Sequence, residues 1–171
     1  MQNHFELFQL PQQFGIDAAK LDAAYREVQG QVHPDRFVNA GDAEKRVAMQ
    51  WATRANEAYQ TLKNPQKRAR YLCEQHGVDL QTESNTAMPM AFLMQQMEWR
   101  EALGDARASK DVAALDALEQ QLQRERKQRL LQIGAQLDAM DFASAAQGVR
   151  ALMFLEKFGE EVRFAFEAIE A

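Results

Sequence analysis

Apolar residues recur at intervals of three and four along most of the chain, and strand-type alternation is absent, so the pattern predicts helices throughout. Phe5, Leu7, Phe8 and Leu10 form a short apolar helix or turn that Pro11 ends. Leu21, Ala24, Tyr25 and Val28 share a face of a helix expected over residues 18–32, with Asp17 as its N-cap and Pro34 as its stop. Gly30, near the end of that helix, costs about 1 kcal/mol against Ala and points to fraying or a close approach. Asp42 is expected to cap a third helix carrying Val47, Trp51, Ala55, Ala58 and Leu62, with Trp51 and Tyr59 in the core. Asn64-Pro65 interrupts it, and helical pattern resumes from Gln66 to Gln75.

The polar stretch from His76 to Pro89 reads as a linker, with Gly77 suited to the position just past a helix end. Three longer helical segments follow. The first has Pro89 in its opening turn and runs to about Ala108. The second spans residues 111–140, with Val112, Leu115, Leu118, Leu122, Leu130, Ile133, Leu137 and Met140 on one broad face. The third runs from Asp141 to the end. Short connections between long helices imply antiparallel neighbours, hence a three-helix bundle over 90–171 after a smaller helical domain over 1–75.

Composition narrows the function classes. A single cysteine, Cys73, excludes a disulfide framework and a Cys-held zinc or iron–sulfur site within one chain, and is expected to be a buried or inert thiol. No apolar run approaches the roughly 20 residues of a membrane helix, and the N-terminus carries no secretory signal. A bacterial, cytoplasmic protein without membrane association is the expectation. The net charge is −5: residues 1–75 carry +1 and residues 76–171 carry −6. That balance argues against a nucleic-acid partner. The run Arg124-Glu125-Arg126-Lys127-Gln128-Arg129 reads as a solvated helix face. His4, His33 and His76 are scattered, no nucleophile or phosphate loop is identifiable, and neither enzymatic activity nor a metal or other cofactor is expected.

The informative tripeptide is His33-Pro34-Asp35, set between an amphipathic helix and a longer one. Ala24-Tyr25-Arg26 precedes it, Arg36-Phe37 follows it, and Asn56-Glu57-Ala58-Tyr59-Gln60-Thr61-Leu62 and Asn64-Pro65-Gln66-Lys67-Arg68-Ala69 come later. In motif, order and spacing, residues 4–72 resemble the J-domain of DnaJ-type co-chaperones. The resemblance implies a helical hairpin that displays the loop at its tip, where it engages a DnaK-class chaperone ATPase and promotes ATP hydrolysis by that partner. It places His33, Pro34 and Asp35, with Arg26 and Arg36, at the chaperone contact. Val32 stands where many members have Tyr, and Glu27, Gln29 and Gln31 make the preceding helix less basic than usual, which suits a specialised chaperone partner.

The second domain lacks the Gly/Phe-rich and Cys-rich segments of a general DnaJ. Wound at about 100° per residue from Phe92, the segment 90–103 places Phe92, Trp99 and Leu103 within about 20° of one another, and Leu93, Met97, Met90 and Met94 at about 100–200°. A bundle helix needs one apolar face for the core. The other is either covered within the molecule or open to a partner, and periodicity alone leaves both outcomes standing.

A J-domain joined to such a segment is similar to the HscB family of iron–sulfur cluster co-chaperones, over essentially the whole chain. The resemblance implies that Leu93, Met94, Met97, Glu98 and Glu101, with Phe154 of the last helix, bind an IscU-like iron–sulfur scaffold protein. It further implies that the J-domain recruits an HscA-like chaperone. Three other readings stand beside this one: a J-domain adaptor for another client, an enzyme, and a direct iron–sulfur carrier.

Overall fold

The structure, a computed structural model, describes residues 2–80 and 88–170. Asn3 and Glu6 form a reciprocal capping box that opens the short helix α1 (His4–Leu7). Asp17 accepts from the backbone N–H groups of Ala19 (2.9 Å) and Lys20 (3.3 Å) and starts α2 (Ala18–Val32) as expected. A 3-10 turn over Pro34–Phe37 leads to α3 (Asp42–Lys63). Here the N-cap is Gly41, which has no side chain to accept, and Asp42 is already helical. Asp42 and Glu44 instead place negative charge in the first turn, near the positive end of the helix. Asn64 accepts from Lys67 N–H (3.1 Å), and Pro65 occupies the first position of α4 (Pro65–Gln75), where its missing N–H costs nothing.

α5 (Met90–Ser109) begins after Pro89, which is the N-cap rather than a residue of the first turn. Asp111 and Asp141 accept from Ala114 N–H (3.1 Å) and Ser144 N–H (3.2 Å) and start α6 (Val112–Asp138) and α7 (Phe142–Glu170). Among the described residues there is no strand. The chain divides into two units, Met1–Leu72 and Cys73–Ala171, the boundary falling inside α4. Of the linker expected over 76–89, residues 81–87 lie outside the described residues.

In the first unit α2 and α3 form an antiparallel hairpin. The Tyr59 hydroxyl donates to Asp22 (2.7 Å), the Tyr25 hydroxyl donates to Asn56 (3.1 Å), and the two tyrosine rings stack at 4.1 Å. As the α2 numbers rise the α3 numbers fall, so the turn at residues 33–37 lies at the open tip. Phe5, Phe8, Leu21, Ala48, Ala55, Ala58 and Leu62 are buried. Val47 and Trp51 are not: the inward stripe of α3 starts at Ala48, one residue later than the sequence suggests, and Trp51 is covered on one side by the Arg54 guanidinium. Small alanines along that stripe let α2 and α3 approach closely.

In the second unit α5, α6 and α7 form the expected bundle. A Cβ on Gly148 would lie 2.7 Å from Ile133 Cγ1, and one on Gly159 would lie 3.1 Å from Leu122 Cδ2. These contacts make α6 and α7 antiparallel neighbours in close approach. α5 and α7 run parallel: Phe92 meets Phe154 (ring centroids 6.1 Å), Trp99 meets Phe158 (5.8 Å), and Arg100 pairs with Glu161 (3.0 Å). The α6 stripe buries Leu115, Leu118, Leu122, Ile133 and Leu137, but Val112 and Met140 at its ends are exposed. Arg129 departs from the solvated-face reading of its charge run: it is half-buried, pairs with Glu125 (2.8 Å) and stacks on Phe92 at 4.7 Å.

Candidate functional site

The loop at the hairpin tip is fixed by its own residues. His33 ends α2 in an extended conformation, and Pro34 cannot continue the helix. The Asp35 N–H donates to His33 Nδ1 (3.2 Å), and the Arg36 N–H donates to the His33 carbonyl (3.0 Å). The Asp35 carboxylate stands 3.6 Å from the same Nδ1. The His33 ring is more than half exposed and the Asp35 carboxylate is 88 % exposed. Arg26 and Arg36 are also exposed. Arg26 lies seven residues before His33, two helical turns and within about 20° of the same face. His33, Pro34, Asp35 and Arg36 therefore lie together, exposed, at the tip of the hairpin, and Arg26 is exposed two turns back along α2.

Behind the loop lies a feature the sequence reading missed. Val32, Pro34, Phe37, Val38, Ala48 and Met49 line an open apolar groove of about 520 Å³. The signal was present in Val38 and Met49, apolar residues outside the helical stripe; each is more than half exposed.

In the second unit the two apolar faces of α5 separate cleanly. Phe92, Trp99 and Leu103 are buried; Met90, Leu93, Met94 and Met97 are exposed, Met90 and Met97 at 70 % each. Aromatic rings go inward because they bury the larger area and find Phe154 and Phe158 on α7. The Arg100–Glu161 pair shows which flank of α5 leans toward α7. Leu93 lies about 20° from Arg100 on the helical wheel and directly follows Phe92, so it shares the flank of α5 that leans toward α7. Phe154 is half-buried.

Leu93, Met97 and Phe154 thus form one apolar surface along the α5–α7 edge. Met94 and Glu101 lie on the outer crest of α5, and Glu98 lies about 140° from Leu93 on the opposite flank. Of the predicted set, Leu93, Met97 and Phe154 fall on this edge, Met94 and Glu101 on the crest beside it, and Glu98 apart from them. Gln96, on the α7-facing flank, is buried with no partner for Nε2 among the described residues.

Cys73 is fully buried, and its thiol faces the Phe142 carbonyl at 3.9 Å. Burial is the main cause that pushes its pKa up to about 11, so the reactive thiolate is suppressed. Arg68 is buried over the Phe14 ring (4.8 Å) and donates to the Leu62 carbonyl (2.6 Å), which makes it a structural residue.

Comparison with known proteins agrees with this geometry. Residues 3–71 match the DnaJ domain family, and residues 88–163 match the family described as the HSCB C-terminal oligomerisation domain. The co-chaperone protein HscB homolog of Burkholderia thailandensis is 60 % identical over 168 residues, covering 98 % of this chain and 96 % of the relative. That of Paraburkholderia phymatum is 56 % identical over the same coverage. Among solved structures, the chaperone HscB from Vibrio cholerae superposes with a TM-score of 0.84 at 37 % identity, covering 98 % of this chain and 99 % of that one. The human co-chaperone protein HscB superposes at 0.89 with 27 % identity, covering 96 % and 82 %.

A helical hairpin with an exposed His-Pro-Asp tip, followed by a three-helix bundle, defines a J-domain co-chaperone, whose partner is an Hsp70-type chaperone. The chain belongs to the HscB co-chaperone family. That family consists of co-chaperones rather than catalytic enzymes.

Proposed function

We propose that this protein is a two-ended adaptor of the bacterial cytoplasm for iron–sulfur cluster transfer. A J-domain over residues 1–75 engages an HscA-like chaperone through His33, Pro34, Asp35, Arg26 and Arg36 and stimulates its ATPase. A linker over 76–89 connects it to a bundle over 90–171. The bundle holds an IscU-like scaffold protein through Leu93, Met94, Met97, Glu98, Glu101 and Phe154. Holding the scaffold and the chaperone on one chain raises the effective concentration of the scaffold at the chaperone's substrate site.

One observation carries the scaffold half of this reading. α5 keeps an apolar, Met-rich face open although the bundle core is already filled by its other face. Exposed methionines suit an adaptable protein contact, and a contiguous apolar patch rimmed by charge is the usual form of such a site.

The test is the ATPase rate of an HscA-type chaperone with this protein, with and without the scaffold. Stimulation that rises further with scaffold is the expected result. Stimulation by this protein alone, without synergy, would reopen the client. No stimulation of an HscA-type or DnaK-type chaperone would overturn the reading. The description of the C-terminal family as an oligomerisation domain gives the same exposed face a second reading, contact between copies of the chain. Sedimentation velocity separates the two: a monomer that binds scaffold favours the adaptor, and a self-associating chain that does not bind it favours the oligomer.

A further inference from the structure

The apolar edge between α5 and α7 ends in a concavity of about 210 Å³ lined by Leu80, Arg150, Met153, Phe154 and Lys157. Among the described residues its charged lining is Arg150 and Lys157, although residues 76–171 carry a net charge of −6 and the outer crest of α5 carries Glu101. On the α7 wheel Arg150, Phe154 and Lys157 fall within about 60° of one another, on the flank that faces α5 through Phe154 and Glu161.

Lys157 is exposed and has no ion-pair partner among the described residues. Its natural partner one turn on would be Glu161. That carboxylate is taken by Arg100 at 3.0 Å, which leaves the ammonium free beside the half-buried Phe154 ring. Gln96 lies on α5 between the Phe92–Phe154 and Arg100–Glu161 contacts, and so level with Lys157. Its buried Nε2 is one more donor without an acceptor. Lys157 thus presents a cation beside an apolar ring, and the matching chemistry is an anionic acceptor.

We propose that Lys157 forms a carboxylate-recognising subsite that takes an Asp or Glu side chain of the scaffold protein beside its apolar contact on Phe154. This rests on the scaffold-binding reading above. The apolar residues supply affinity, and the buttressed cation sets orientation and encounter rate.

The experiment is calorimetric titration of the purified scaffold into the full chain carrying Lys157→Glu, Lys157→Gln or Leu93→Ala. Lys157→Glu is expected to weaken binding about tenfold or more, Lys157→Gln less, with an unchanged melting temperature because Lys157 is exposed. The deficit of Lys157→Glu should shrink as salt rises. A scaffold variant with one Asp or Glu reversed to Lys should recover affinity for Lys157→Glu specifically. Binding by Lys157→Glu within about twofold of wild type, with Leu93→Ala still weakened, overturns the subsite and leaves the surface standing. Unchanged binding by both variants overturns the scaffold surface as well. Weakening that no single carboxylate reversal rescues overturns the assignment of an acidic side chain.

Discussion

The Phe92 ring packs against the Phe154 ring at 6.1 Å, tilted by 59°, and Leu93, the next residue of α5, falls on the flank of that helix that leans toward α7. An inward residue of α5 thereby places its outward neighbour. Leu93→Ala and Met97→Ala remove exposed side chains and should leave the melting temperature within about 2 °C of wild type, since surface changes stay within about 0.5 kcal/mol. Scaffold affinity should fall at least tenfold in the double variant, as expected when central apolar anchors are truncated. Titration against scaffold, with thermal unfolding as the control, checks both. Full affinity in the double variant would remove the α5–α7 edge as the binding surface.

His33→Gln tests the loop. The side chain that accepts from the Asp35 N–H at 3.2 Å is replaced by a flexible amide that does not reproduce the ring geometry. ATPase stimulation should be lost, while scaffold affinity, carried by the other unit, is unchanged. Steady-state phosphate release and titration read the two halves separately. Retained stimulation would show that the imidazole is not the contact.

Two glycines should respond in opposite directions. At Gly30 nothing lies within 4 Å of an added Cβ, so the close approach anticipated from sequence is absent. Gly30→Ala should stabilise by about 0.5–1 kcal/mol through backbone entropy. At Gly148 the added carbon would lie 2.7 Å from Ile133 Cγ1 in the tight α6–α7 contact. Gly148→Ala should destabilise by about 1–3 kcal/mol. Urea unfolding with a common m-value decides the signs.

Alkaline pH should weaken the fold partly through Cys73. Burial raises its folded pKa from an ordinary 9.0 to about 11, so the native state keeps a proton that the unfolded chain gives up. The sign follows from linkage: the contribution is fully present below pH 9 and is lost as pH rises from about 9 toward 11. Cys73→Ala should flatten the fall in melting temperature between pH 9 and pH 10. In native protein at pH 8 the thiol should label slowly with iodoacetamide and rapidly after denaturation. Fast native labelling would contradict the buried thiol.

Helix positions were legible because caps and breakers act locally. Asp17, Asn64, Asp111 and Asp141 each accept a backbone N–H at the helix start beside them. The His-Pro-Asp tripeptide and its spacing were legible for the same reason, since Pro34 ends a helix wherever it falls. Errors arose where an inward face had to be chosen. Trp51 was expected inside because it is large and apolar, yet the α3 stripe turns by one residue and leaves it outside, against Arg54. Arg129 was expected outside because it is charged, yet its planar guanidinium stacks on Phe92 and its charge is met by Glu125.

The sequence by itself determined an all-α chain, the J-domain hairpin with its exposed tip, and a second helical segment with two apolar faces. The helices and their apolar faces follow from backbone preferences and periodicity, which a single helix already possesses, whereas the hairpin with its exposed tip is what the resemblance of residues 4–72 to the J-domain implies. Tertiary structure alone decided which face of α5 is the core and which is the surface. The choice depends on the rings that α7 presents, Phe154 and Phe158, and on the Arg100–Glu161 pair that fixes the tilt of one helix on the other. The same register gives Glu161, one turn on from Lys157, to Arg100. A helical wheel cannot contain that arrangement, because it requires the register between two helices more than fifty residues apart in the chain.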